Sequence, residues 1–141
     1  MIPLVVDTNV LVAACLREEG SSRAVIKRCL RRHSVPLIGT ALFTEYEDLM
    51  SRDALFARSP LRKEERLQLF KGFLAVCRWT DVYFAWRPNL PDEADNHLIE
   101  LAVAGGAAAI VSRNVRDLMG GELRFPQVRI LTPEQCLEAF P

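Results

Sequence analysis

Apolar residues along this chain follow two rhythms. Short unbroken runs at Ile2-Pro3-Leu4-Val5-Val6, Val35-Pro36-Leu37-Ile38-Gly39, Ala107-Ala108-Ala109-Ile110-Val111 and Val128-Arg129-Ile130-Leu131 read as strands, the first and third buried on both faces. Between them the apolar positions recur at helical spacing. Helices are predicted from Asn9 to Arg17, ended by Glu18-Glu19-Gly20, and then from a cap at Ser21 or Ser22 through Ala24, Val25, Cys29 and Leu30. Two more follow from Ala41 to Met50, capped by Thr40, and from Arg62 to Trp79, with Leu67, Phe70, Leu74 and Cys77 facing inward. Leu55 to Pro60 reads as a loop or short irregular helix, Thr80 to Trp86 as a strand with one less buried face, and the stretch with Pro88, Asn89 and Pro91 as a loop. A helix with Leu98, Leu101, Ala102 and Gly105 on its packing face stops at Gly105-Gly106. Pro36 suits the first position of a strand or an edge. Leu118 to Pro126 reads as a loop, after which Thr132-Pro133-Glu134-Gln135 carries a capping box for a last helix. Strands alternating with helices over 141 residues imply one α/β domain, 1–141, with a mainly parallel sheet covered on both faces.

Composition narrows the class. Half the residues are apolar, enough for a core without metals or disulfides. No apolar run reaches the ~20 residues needed to cross a bilayer, and no signal peptide is recognisable, so a cytoplasmic protein without membrane contact is expected. Cys15, Cys29, Cys77 and Cys136 form no C-x-x-C pair and read as reduced core residues. The 18 basic and 18 acidic side chains cancel, so attraction to nucleic acid has to be local. Arg23, Lys27, Arg28, Arg31 and Arg32 form the strongest basic cluster, either a solvated helix face or part of a phosphate track.

Three places carry candidate chemistry. The first strand ends at Asp7-Thr8-Asn9, where open α/β sheets bind ligands, although the same triplet makes a good helix cap. Glu45 lies at the border of its helix's apolar side, near Leu42 and Leu49, and needs a partner: an arginine or a metal. Asp92, Glu93 and Asp95 crowd the start of a helix. A helix dipole stabilises each acid there by only about 0.3–1 kcal/mol while like charges repel, so a bound cation would relieve them. His97 reads as a surface imidazole, with general-base chemistry as the alternative. The strand ending in Ser112-Arg113-Asn114 repeats the pattern of the first, with Arg116 and Asp117 close behind. A parallel sheet would gather Asp7, Asn114 and Asp117 at one rim, where the helices bearing Glu45 and Asp95 could arrive.

Taken in order, Val5-Val6-Asp7-Thr8-Asn9-Val10-Leu11, Glu45 within Thr-Glu-Tyr-Glu-Asp-Leu, Asp95-Asn96-His97-Leu98 running to Gly105-Gly106-Ala107, and Ile110-Val111-Ser112-Arg113-Asn114 resemble a PIN domain, over nearly the whole chain. The similarity is to the VapC-type toxin branch. It implies a three-layer α/β/α fold, Mg²⁺ or Mn²⁺ held by a ring of acids, cleavage of single-stranded RNA by metal-activated water, a cognate antitoxin and homodimers. By position, Asp7, Glu45 and Asp95 match three family acids and are the expected catalytic and metal-binding residues, with Thr8, Asn9 and Ser112 supporting them. The fourth acid is replaced by Asn114, whose oxygen carries no charge, so Asp117 or Asp92 is a candidate substitute ligand. Arg113, Arg116, Arg23, Lys27 and Arg31 are candidate RNA contacts. The departure at Asn114 leaves a competing expectation, an impaired module acting by RNA or protein binding. A phosphate-binding enzyme ranks below both, because no Gly-rich loop follows the first strand.

Overall fold

The computed structural model describes residues 1–82, 96–118 and 128–141, with only the backbone at 117. Its centre is β1 (Ile2–Val6), whose Leu4, Val5 and Val6 are almost wholly buried. On one side β1 pairs with β2 (Ser34–Ile38), which pairs with β3 (Arg78–Trp79); on the other it pairs with β4 (Ala109–Val111), which pairs with β5 (Arg129–Leu131). All four pairings are parallel and the order is β3-β2-β1-β4-β5. The chain therefore runs outward from β1 to β3 and restarts beyond β1 at β4. That reversal makes the gap between the ends of β1 and β4 the switch point where such sheets open a crevice.

Helices α1 (Thr8–Leu16), α2 (Ser21–Leu30), α3 (Thr40–Met50) and α4 (Lys63–Val76) belong to the first half; α5 (Asn96–Gly105), α6 (Val115–Leu118) and α7 (Pro133–Ala139) to the second. Right-handed crossovers carry α5 to the opposite face from α2 and α4 once the strand order reverses. Helix α5 packs on β1, β2 and β4, while α2 packs on α1, α4 and α7. Close approach of α5 to the sheet needs Gly105, where a Cβ would overlap Cδ1 of buried Leu37.

Several local expectations are corrected. The fourth helix stops at Val76, and Arg78–Trp79 form the edge strand instead of its last turn. Its buried line is Arg66, Phe70 and Phe73, whereas Leu67 is exposed. Arg66 lies among apolar residues with its charge paired: Nε donates to Met50 O (3.2 Å), Nη2 to Asp53 Oδ1 (2.7 Å), and the guanidinium stacks over Phe56. Pro36 is the third residue of an inner strand, but β3 pairs only with Leu37 and Ile38, so one flank of Pro36 meets no ladder. Gly20 and Gly39, not Ser21 or Thr40, hold the cap positions of α2 and α3. Ser21 instead donates to Glu134 Oε1 (2.6 Å).

Residues 80–82 lie outside any strand, although Thr80 N still donates to Ile38 O (2.7 Å); the remainder of that expected strand, the proline loop after it and 119–126 fall outside the described residues. Leu118, expected to open a loop, instead closes α6. Leu55 and Phe56 end a turn of 3₁₀ helix (Asp53–Phe56). The Thr132–Gln135 box forms as expected, Gln135 N to Thr132 Oγ1 (3.1 Å) and Thr132 N to Gln135 Oε1 (2.9 Å). Cys15, Cys29 and Cys136 are buried free thiols, and Cys77 is half-buried at the core margin. Burial pushes Cys29 and Cys77 up to about 12 and Cys15 to about 11, so these thiols stay protonated and unreactive.

Candidate active site

The ladder itself delivers the first two polar side chains. Asp7 N donates to Val111 O and Ser112 N to Leu131 O, both at 2.9 Å, so each residue is held one step beyond its strand and the two stand side by side across the switch point. Ser112 Oγ donates to Asp7 Oδ2 at 2.7 Å. Asn9, one turn into α1, presents Nδ2 at 3.3 Å from both Asp7 Oδ2 and Ser112 Oγ, and its Oδ1 accepts from Arg113 N (3.0 Å). Asp7 occupies the N-cap position of α1 with extended backbone (φ −63°, ψ 149°), yet its side chain makes no capping bond. The carboxylate serves the rim.

Thr8 connects this group to the next helix. Its Oγ1 lies 3.3 Å from Asp7 Oδ1 and 2.8 Å from Glu45 Oε1, and its single proton favours the shorter contact. Glu45 is brought there by α3, whose buried Leu42, Tyr46 and Met50 press one face inward and leave Glu45 at the border. Tyr46 fixes that face by donating Oη to Val6 O at 2.5 Å, directly before Asp7. The other Glu45 oxygen meets His97 Nε2 at 2.9 Å. No arginine pairs with Glu45 among the described residues; threonine and histidine do.

The two carboxyl groups titrate in opposite directions. Asp7 is only 7% exposed, and burial raises its pKa; hydrogen bonds from Ser112 and Thr8 oppose the rise and the charge of Glu45 adds to it. Glu45 is lowered, chiefly by the His97 hydrogen bond and further by Thr8, against partial burial. Asp7 is thus a buried carboxyl group that pairs with no cationic side chain among the described residues.

His97 is not a surface imidazole: its side chain is 16% exposed and turned onto Glu45. Its position carried the signal that singled out Glu45, since it stands four residues before buried Leu101 at the border of a packed face. Asp92, Glu93 and Asp95 lie outside the described residues, as does the side chain of Asp117. Asn114 is exposed, with its backbone N–H bonded to Ser112 Oγ (2.9 Å). Arg113 and Arg116 are exposed beside the rim. Arg23 is otherwise engaged, donating to Ala14 O (2.8 Å) and Glu18 O (3.0 Å) at the end of α1, and Arg28 donates to Leu137 O and Phe140 O at the end of α7. Lys27 and Arg31 are exposed farther along α2 and just beyond its end.

The chemistry of the donor set fits a hard divalent cation: carboxylate and hydroxyl oxygens of Asp7, Glu45, Thr8 and Ser112 gather at the rim, while Asn9 turns its amide nitrogen toward Asp7. The described part of the rim supplies two carboxylates, and no group of three ligating side chains converges among the described residues.

The family model of the PIN domain matches residues 3–116. No curated protein matches the chain. Among solved structures, a chain of the VapBC2 complex of Rickettsia felis, crystallised with a DNA fragment from their promoter, superimposes with a TM-score of 0.59 at 15% identity, covering 94% of this chain and 98% of that one. At that identity the likeness is one of fold, and the fold agrees with the motif order: this chain belongs to the PIN-domain family.

Proposed function

We propose that this protein is a divalent-metal-dependent endoribonuclease, the toxin of a toxin–antitoxin pair, cutting single-stranded RNA at the rim that holds Asp7 and Glu45, with Asp95 as the third acid by its place in the motif order. One observation carries the reading: a buried carboxylate without a cationic partner, among the described residues, at the sheet's switch point, linked through Thr8 to a second carboxylate. Asp7, Glu45 and Asp95 would hold Mg²⁺ or Mn²⁺, with Asn114, Asp117 or Asp92 as a further oxygen donor. Such an ion supplies activation of water and charge neutralisation at the phosphodiester.

The chain's own groups do the positioning. Ser112 and Asn9 hold one Asp7 oxygen by hydrogen bonds, and Thr8 holds Glu45 beside it. Arg113 and Arg116 supply local positive charge for the RNA backbone, and Lys27 and Arg31 extend it along α2. Exposed Leu67 and Trp79 offer apolar area to an antitoxin or to a second copy. The similar Rickettsia chain belongs to a VapBC complex, which supports a protein partner for this one.

The test is cleavage of single-stranded RNA with Mg²⁺ or Mn²⁺, without metal, and with Asp7→Ala. Activity that requires the ion and disappears in the variant is expected; cleavage that survives Asp7→Ala refutes the assignment. Asn114 favours a second reading, a module that binds RNA or protein without cutting. Restored Mn²⁺ binding and cleavage in Asn114→Asp, from an inert parent, would favour it.

A further inference from the structure

We infer that His97 is a positioning residue for the candidate metal site, locking the Glu45 carboxylate in the orientation in which it can serve a cation. The inference rests on the metal-dependent reading given above and concerns a residue outside the acid set.

The geometry is a two-point clamp. Thr8 Oγ1 holds Glu45 Oε1 at 2.8 Å from the β1–α1 side, and His97 Nε2 holds Oε2 at 2.9 Å from α5. The three groups come from positions 8, 45 and 97, so the clamp ties the site together across three separate helices. A carboxylate oxygen has two lone pairs, and each Glu45 oxygen receives one donor here, which leaves one lone pair on each for a ligand. Glu45 needs such restraint. Its side chain is 35% exposed on a helix border, and a glutamate with one oxygen untethered there would turn toward water.

The protonation pattern of the ring fits this role. An ionised carboxylate only accepts, so Nε2 carries the proton in the contact with Glu45. Nδ1 is buried and has no hydrogen-bond partner among the described residues, which suits a bare lone pair; a proton there would be left without an acceptor. His97 has no second polar contact among those residues through which to act, and its reach into the site is through Glu45. Groups that orient metal ligands in this way commonly change affinity or activity by roughly 10- to 100-fold when removed.

The experiment compares His97→Ala and His97→Gln with the parent protein by calorimetric Mn²⁺ titration, RNA cleavage kinetics and thermal melting. A glutamine amide can place a donor close to the position of Nε2. We expect His97→Ala to lose about 10-fold or more in Mn²⁺ affinity, to fall in kcat with little change in KM for RNA, and to be largely rescued by His97→Gln. Unchanged Mn²⁺ affinity in His97→Ala overturns the inference, as does a glutamine variant that folds and behaves like alanine. Should the alanine variant not fold, ¹⁵N spectra of the two histidines decide: an Nε2–H tautomer of His97 that is perturbed in Glu45→Ala supports the clamp, and an Nδ1–H tautomer overturns it. A parent that binds Mn²⁺ and needs Asp7, with His97→Ala unaffected, removes only this inference. A parent that neither binds Mn²⁺ nor cleaves RNA removes the metal-dependent reading and this inference with it.

Discussion

Replacing Asp7 by asparagine is expected to make the metal-free protein more stable while abolishing cleavage. The carboxylate is buried and its pKa is raised, so the folded state holds that proton more tightly than the unfolded chain does. Stability linked to Asp7 is therefore complete below the unfolded value of 3.8 and is lost as pH rises through the raised folded value, leaving a penalty at neutral pH. Asparagine removes the charge without orphaning a neighbour. Its Oδ1, set in the place of Asp7 Oδ2, still accepts from Ser112 Oγ and Asn9 Nδ2, and its Nδ2 then faces Thr8 Oγ1, which can accept because its own proton goes to Glu45. A gain of about 0.5–2 kcal/mol, the usual size of a single stabilising substitution, is expected. For a chain of this length that is roughly 2–8 °C in Tm.

The assay is calorimetric melting of both proteins in chelator at neutral pH and again near pH 4. The variant should lead at neutral pH, and the difference should shrink in acid as the wild-type carboxyl takes up its proton. Added Mn²⁺ should raise the wild-type Tm by mass action and leave the variant almost unmoved. A variant less stable than wild type at neutral pH, or a lead of the same size at both pH values, would refute the claim that Asp7 is an uncompensated buried charge.

Other substitutions test the frame around the site. Arg32 ends α2 with φ 63°, and the bonds His33 N to Arg28 O and Arg32 N to Cys29 O, both 3.0 Å, make it the left-handed residue of a Schellman cap; Arg32→Gly should stabilise by about 0.5–1 kcal/mol in urea unfolding. Gly105→Ala drives a methyl against fully buried Leu37 and should destabilise by about 1–3 kcal/mol, read as a fall in the urea midpoint. If Arg113 and Arg116 meet RNA phosphates, removing both should lower the slope of log affinity against log salt by roughly 1–2, and an unchanged slope would make them ordinary surface charges.

Features closed within a short stretch of chain are legible in the sequence, and those completed by a distant partner are not. Ile2–Val6 and Ala109–Val111 are readable as strands because a segment buried on both faces is apolar throughout, and Thr132–Gln135 is readable because a capping box is closed within four residues. The end of α4 is not: nothing like glycine or proline marks Val76, and Arg78–Trp79 become a strand only because Leu37 and Ile38 offer them a ladder from 41 positions away, Leu37 facing Arg78 and Ile38 facing Trp79. His97 misleads for a related reason: a polar side chain reads as surface until its partner is known, and here that partner is Glu45, 52 positions earlier. Asp7 shows the limit most clearly, because the backbone of a cap and of a rim carboxylate is the same at that position. What separates the two roles is the direction of the carboxylate, and that is set by Ser112, 105 residues later, on a strand whose register against β1 places Val111 opposite Val6. The motif order can name Asp7 and Ser112; the parallel register is the physical reason that these two meet.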